Sequence, residues 1–248
     1  MSHVLLAGES WISATVDHKG FDAFPHTQLE IGCTEFVAAL ESKGHIVEHL
    51  PSHRVAEDFP ETAAKLDPYD VVILSDVGAN TMLLAPQAFN RGQRFPNRLK
   101  LLAEWVRQGG GLMMAGGYLS FQGFQAKANY HRTPIENVLP VTISPFDDRV
   151  EAPEGIAGRL TDIDHPVTAG LDRTWPHLLG YQRLTPRDDA LVLALAESDP
   201  LVAVRQVGEG RTLAFASDIS PHWAPREFMA WPGYATFFAQ AVSWLAEQ

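Results

Sequence analysis

The sequence predicts an α/β fold, a mainly parallel β-sheet with helices on both of its faces, and three observations predict it. Apolar runs too short for helices recur at residues 3–7, 46–50, 71–74 and 112–115. Runs of that length suit strands buried on both faces. Between them lie stretches with 3.6-residue apolar spacing, and the two patterns alternate as they do in βαβ units. Finally, 248 residues with 46% hydrophobic and 20% charged residues suffice for one large buried core.

In chain order, residues 3–7 form the first strand and end at Gly8. Residues 9–27 read as a long polar and aromatic loop. A helix is expected next, with Thr27 and Glu30 at capping-box spacing and Leu29, Cys33, Phe36, Val37 and Leu40 on one face. Gly44 closes it. Residues 46–50 read as a strand and 60–66 as a short helix. Residues 71–74 are a β-branched strand ending in Ser75 and Asp76. Leu99, Leu102, Ala103 and Val106 mark a helix that Gly109, Gly110 and Gly111 stop. The strand 112–115 then runs into Gly116 and Gly117.

From about residue 124 to 190 the pattern weakens. This Pro-, Asp- and Arg-rich stretch reads as a loop-rich elaboration of a single domain spanning 1–248, with one strand near 138–144. Residues 191–196, 201–207 and 212–217 read as strands, and Gly208-Glu209-Gly210 makes the last two a C-terminal hairpin. Pro232 opens a final helix with Phe237, Ala241, Trp244 and Leu245 toward the core.

Composition narrows the function. The net charge of −11 disfavours nucleic acid and anionic membrane as partners, because both would be repelled. No apolar stretch approaches the length of a membrane span, and the N-terminus has neither the basic start nor the apolar length of a signal peptide. The single cysteine, Cys33, allows no intrachain disulfide and fits a reducing compartment, so a cytoplasmic location is expected. Cys33 is expected to be buried and structural.

In a parallel sheet of this kind ligands bind at the carboxyl ends of the strands. Four loops should converge there, residues 8–11, 75–81, 116–122 and 218–223. They supply Glu9, Asp76, Asp218 and His222 as acid–base candidates. They also supply Ser10, Trp11, Asn80, Gly116, Gly117, Tyr118, Ser120 and Trp223 as ligand-binding candidates. Each has a plainer alternative. Glu9, Asp76 and Asn80 could cap helices, Asp218 and Ser120 could close turns, and His222 could be a structural hydrogen-bonder. Asp147, Asp148 and Arg149 read as a turn with a salt bridge. No His-Glu-x-x-His, Cys pair, Walker loop or G-x-G-x-x-G is present, so neither metal nor cofactor is expected.

The strings GGGLMMAGGYLSFQG, SDVGANT, DDRVEAPEG, DHPVTAGL, GRTLAFASDISPHW and WPGY resemble the putative glutamine amidotransferase family of the class I glutamine amidotransferase-like superfamily, related to ThuA-like proteins. The resemblance runs nearly end to end and implies a flavodoxin-like, three-layer fold. It also implies a glutaminase triad. That chemistry needs a Cys on the sharp turn after a strand, a His, and a Glu two residues beyond the His. Here the turn reads Ala115-Gly116-Gly117-Tyr118-Leu119-Ser120, without Cys. His222 suits the His position, and Ala224 stands where the Glu should be.

The expectation is therefore a non-glutaminase enzyme acting on a small polar substrate. Aromatics near the four loops (Trp11, Tyr118, Phe121, Trp223) and the ThuA-like resemblance point to a sugar derivative. The alternative is a non-catalytic binding or assembly protein on the same fold. Apolar surface in the aromatic loop 11–24 and in 124–190 points to a homo-oligomer.

Overall fold

A computed structural model describes residues 1–247. In chain order the elements are β1 (His3–Gly8), β2 (Ser10–Lys19), β3 (Asp22–Ile31), α1 (Thr34–Ser42), β4 (Ile46–Leu50), α2 (Ser52–Asp58), α3 (Ala63–Leu66) and β5 (Val71–Ser75). There follow α4 (Ala79–Leu83), α5 (Pro86–Phe89), α6 (Arg98–Arg107), β6 (Gly111–Ala115), β7 (Val141–Thr142), β8 (Arg149–Leu160) and β9 (Thr174–Gln182). The chain continues with β10 (Thr185–Pro186), β11 (Leu191–Ala196), β12 (Asp199–Val207), β13 (Gly210–Phe215), α7 (Arg226–Met229) and α8 (Pro232–Ala246).

Nine strands form one sheet in the order β4-β1-β5-β6-β13-β12-β11-β8-β9. The first five are mutually parallel, and the remaining pairings are antiparallel. β1, β5 and β6 are wholly or almost wholly buried, which is why they read as unbroken apolar runs. Helices α1 and α8 pack together on one face, and α2, α3, α4 and α6 share the other. Phe215 on β13 meets Phe228, Phe237 and Phe238 beneath α8, with ring centroids 5.3–6.3 Å apart. The flavodoxin-like, three-layer fold expected from the sequence is the one observed, and the β12–β13 hairpin and the Pro232 helix start are as predicted.

Two expectations are overturned. The stretch 9–27 is not a loop. It belongs to a two-stranded antiparallel ribbon of β2 and β3, in register from Ser10↔Ile31 to Lys19↔Asp22. Consequently no helix begins at Thr27; α1 starts at Thr34, Leu29 lies on β3, and Cys33 is the residue before the helix. The apolar spacing of Leu29, Cys33 and Phe36 fits a helix, but strict alternation on β2 and β3 prevails. Ile12, Ala14 and Val16 share one ribbon face with Ala23, Pro25, Leu29 and Ile31. Most of that face is exposed; Ile12 is 60% and Val16 54% accessible.

The stretch 124–190 is likewise more than a loop-rich elaboration. β8 and β9 are long strands that complete the antiparallel end of the main sheet. Pro153, Gly155 and Pro176 interrupt their alternation, and the β8–β9 register shifts between Glu151 and Ile156. The strand expected near 138–144 is the two-residue β7.

Candidate functional site

The register of the parallel strands places the site. Gly8 pairs with Ser75, Ser75 with Ala115, and Ala115 with Phe215. Four strands thus end level, and the chain turns away from each at Glu9, Asp76, Gly116 and Ala216. Two of these turns are left-handed. Glu9 has φ 49° and Asp76 has φ 48°; the value is strained for Glu9, whereas Asp is among the few side chains that adopt it readily. Gly8, with φ 115°, passes so close to the Ser75 carbonyl that a Cβ would collide with it.

A cleft of about 500 Å3 opens above this edge. Asp76, Asp218 and Ser220 form its floor; Trp11, Tyr118, Leu119 and Phe124 form one set of walls, and Pro221 and His222 the other. Tyr118 meets His222 edge-on at 4.2 Å and stacks against Phe124 at 5.5 Å. His222 Nδ1 lies 3.7 Å from Asp218 Oδ2. Behind His222, Trp223 is stacked at 5.3 Å and its indole N–H donates to Glu151 at 2.9 Å.

Asp76 is partly buried at the centre of this arrangement. Its Oδ1 accepts the Leu119 N–H at 2.6 Å, while its own N–H donates to Ser120 Oγ at 3.0 Å. Burial raises the Asp76 carboxyl to about 6, helped by the Asp218 charge and opposed by the Leu119 N–H and by His222. Glu9 does not line the cleft. It is 1% exposed beneath it, bonded to the hydroxyls of Ser75 and Ser220, the latter at 2.7 Å. Burial, then Asp218 and Asp76, push the Glu9 carboxyl well above the usual carboxylate range. Ser220 Oγ also lies 3.2 Å from Asp218 Oδ1, so a hydrogen-bonded chain runs Ser75–Glu9–Ser220–Asp218 from the core to the cleft floor.

The remaining predicted residues serve the frame. Ser10 is buried and its hydroxyl accepts the Ser52 N–H at the start of α2, at 2.7 Å. Ser120 is buried and occupied by Asp76. Asn80 is exposed in the first turn of α4, away from the cleft lining. Gly116 does not present its N–H to a ligand, because that group donates to the carbonyls of Phe215 and Ser217 at 2.9 and 2.8 Å. Gly117, at φ 133°, carries the positive-φ turn after β6, and its carbonyl accepts from the buried Gln182 side chain.

Sequence reasoning missed Ser220, Pro221, Leu119 and Phe124. The first two lie between Asp218 and His222 in a loop already singled out. Asp147 and Arg149 do pair, at 2.9 Å, while Asp148 accepts the N–H groups of Gln122 and Gly123 and so fixes the loop carrying Phe124. Cys33 is buried as expected, and burial, with Glu9 nearby, pushes its thiol up to about 12. Among the described residues no group of three or more His, Cys, Asp or Glu is arranged to hold a metal ion.

A level row of parallel strand ends under an acidic, aromatic cleft defines a flavodoxin-like α/β protein with a crevice at its topological edge. The chain belongs to the putative glutamine amidotransferase family, which it matches over residues 3–247. Two solved structures from Salmonella typhimurium, the cytoplasmic proteins STM3548 and STM1381, are each 40% identical to it. The first covers 100% of both chains with a TM-score of 0.95, and the second 99% of this chain and 100% of its own with 0.94. These relatives bear out the cytoplasmic location expected from the sequence. No helix among the described residues is long and apolar enough to cross a membrane. A putative ThuA-like protein from Parabacteroides merdae shares the fold at 16% identity, with a TM-score of 0.56 over 99% of this chain and 90% of its own. No curated protein matches the sequence.

Proposed function

We propose that the protein is an acid–base enzyme acting on a small polar, carbohydrate-like substrate, and that it is not a glutaminase. The observation that carries this reading is the meeting of Asp76 with the Asp218–His222 pair in one cleft. A carboxyl near 6 can both give and take a proton close to neutral pH. His222, held beside Asp218, is the second proton-transfer group, and the two face the same space. Trp11, Tyr118 and Phe124 offer flat apolar faces to the C–H side of a sugar ring, while the carboxylates accept its hydroxyls.

Glutamine hydrolysis has no nucleophile here. The turn after β6 puts Gly117 at its positive-φ position, Cys33 lies in the core with an un-ionised thiol, and the Leu119 N–H that could hold an oxyanion already binds Asp76. The test is turnover of a metabolite library followed by mass spectrometry, repeated with Asp76→Asn and His222→Ala. Conversion lost in both variants supports the reading. Binding without conversion of any compound would favour a non-catalytic ligand-binding protein.

Self-association through the ribbon is part of the proposal. An isolated two-stranded ribbon is marginal in water, and this one leaves Ile12, Val16, Leu29 and Ile31 largely uncovered. Ten residues per strand give a face of about 30 by 10 Å. Two reciprocal contacts of that size between two-fold-related copies bury on the order of 1,200 Å2, the lower range of a stable interface.

A further inference from the structure

The cleft floor has a charge bias that acid–base chemistry alone does not require. Asp218 is 4% exposed, and its Oδ1 accepts the N–H of Ser220 at 3.0 Å. Its Oδ2 has no hydrogen-bond donor among the described residues; His222 Nδ1 stands 3.7 Å away. On a residue otherwise buried, this oxygen is left to the cleft that Asp218 lines, and the group that can serve it is a donor arriving from there. Asp76 faces the same space, and Glu9 lies directly below.

No lysine or arginine lines the cleft to balance these acids. Arg149 lies over the rings of Tyr118 and Phe124 at 4.8 and 4.3 Å, but its guanidinium is engaged by Asp147 and Glu151. Lys127 lies 5.0 Å from the Phe124 ring and is likewise absent from the lining. The walls are therefore π faces above a floor of carboxylates.

We infer that the ligand of this cleft carries a protonated amine, seated over Asp218 and Asp76 with its carbon skeleton against Trp11, Tyr118 and Phe124. This rests on the reading of the cleft as a small-molecule site and names the chemical class it takes. An ammonium has three donors, enough to serve Asp218 Oδ2 and Asp76 together, and it is attracted by aromatic faces. A phosphorylated or carboxylated ligand meets like charge from Asp76 and Asp218 with no cation to offset it. Affinity for the amine also depends on pH. An ammonium needs Asp76 ionised, so acidifying through about 6 protonates that carboxyl and weakens binding. His222 and Asp218 face the same floor, and burial holds the Glu9 carboxyl beneath it well above the usual carboxylate range.

Three probes of one size and shape separate the charges: benzylamine, benzyl alcohol and benzoate, titrated into the full chain by calorimetry near pH 7.5 and near pH 5.5. The expected result at the higher pH is benzylamine bound about tenfold more tightly than benzyl alcohol, with benzoate unbound. Benzylamine should weaken at the lower pH while benzyl alcohol does not. Asp218→Asn should remove the amine preference, with an unchanged near-UV circular-dichroism spectrum and melting temperature showing that the fold is intact. Equal affinity for the three probes, binding of none, tightest binding of benzoate, or an amine preference that survives Asp218→Asn would each overturn the inference. Its failure is separable from that of the acid–base reading. An amine preference without turnover of any library compound defeats only the latter, and turnover of neutral or anionic substrates without that preference defeats only the former.

Discussion

Replacing Asp76 by Asn tests whether the cleft floor carries the electrostatic load that the structure gives it. The Asn variant keeps the shape and the oxygen that accepts the Leu119 N–H, and it cannot ionise. In the folded protein the Asp76 carboxyl is raised from 3.8 to about 6, chiefly by burial and then by Asp218. A raised folded-state value means that the group's favourable contribution is present below 3.8 and is lost as pH rises through about 6. A shift of roughly two units corresponds to about 3 kcal/mol. Wild-type stability should therefore fall relative to Asp76→Asn by about 3 kcal/mol between pH 4 and pH 7, and the difference should then level off. For a chain of this length that is a gain in Tm of about 6–12 °C for the variant at neutral pH, relative to its offset at pH 4. Urea unfolding of both proteins at intervals of half a pH unit measures the difference curve. A flat curve, or a variant that loses ground as pH rises, would refute the reasoning, because it would mean that Asp76 ionises freely.

Three further outcomes follow from the structure. Ammonia release from glutamine should be undetectable and unchanged by Cys33→Ala, and the native thiol should resist a bulky disulfide reagent at pH 8; the same substitution should cost about 1–2 kcal/mol of stability as a small core truncation. His222→Ala removes an exposed ring, so stability should change by less than about 1 kcal/mol while binding or turnover of any cleft ligand collapses; a large drop in Tm would mark His222 as structural. Charging the apolar ribbon face with Ile12→Asp and Leu29→Asp should turn a self-associated protein into a monomer near 27.3 kDa in sedimentation, whereas a wild-type protein that is already monomeric at micromolar concentration would defeat the assembly proposal.

The parallel half of the sheet was legible because burial on both faces leaves no room for polar residues in β1, β5 and β6, and apolar runs that short do not fit helices. Since those strands end level, the meeting place of the residues that follow them was legible too. Asp76, Asp218, Tyr118 and His222 do meet in one cleft, with Trp11 beside them. Glu9 shows the limit of that logic. Its position after β1 is as predicted, but the left-handed turn directs it under the floor, where sequence cannot tell a lining acid from a buried one. Asn80 fails differently, because α4 begins at once and carries it outward. The ribbon was missed because Trp, His, Asp and Lys on its polar face mask the alternation of Ile12, Ala14 and Val16. In β8 and β9 the prolines and the shifted register erase the period that would have announced two strands.

Trp11 belongs to two structures at once. It is paired with Glu30 in the ribbon and it walls the cleft. The other root of the ribbon is anchored at the same place, since Gly32 donates its N–H to the Glu9 carbonyl and packs against Trp11 and Ser220. Whatever covers the ribbon therefore restrains one wall of the cleft, and whatever fills the cleft restrains the base of the ribbon. Such restraint is reciprocal by thermodynamic necessity: a ligand that favours the covered ribbon strengthens its covering by the same factor by which the covering strengthens the ligand. With a second copy as the cover, occupancy of the cleft would rise with the protein's own concentration, and the cell could adjust the response of this site by abundance alone.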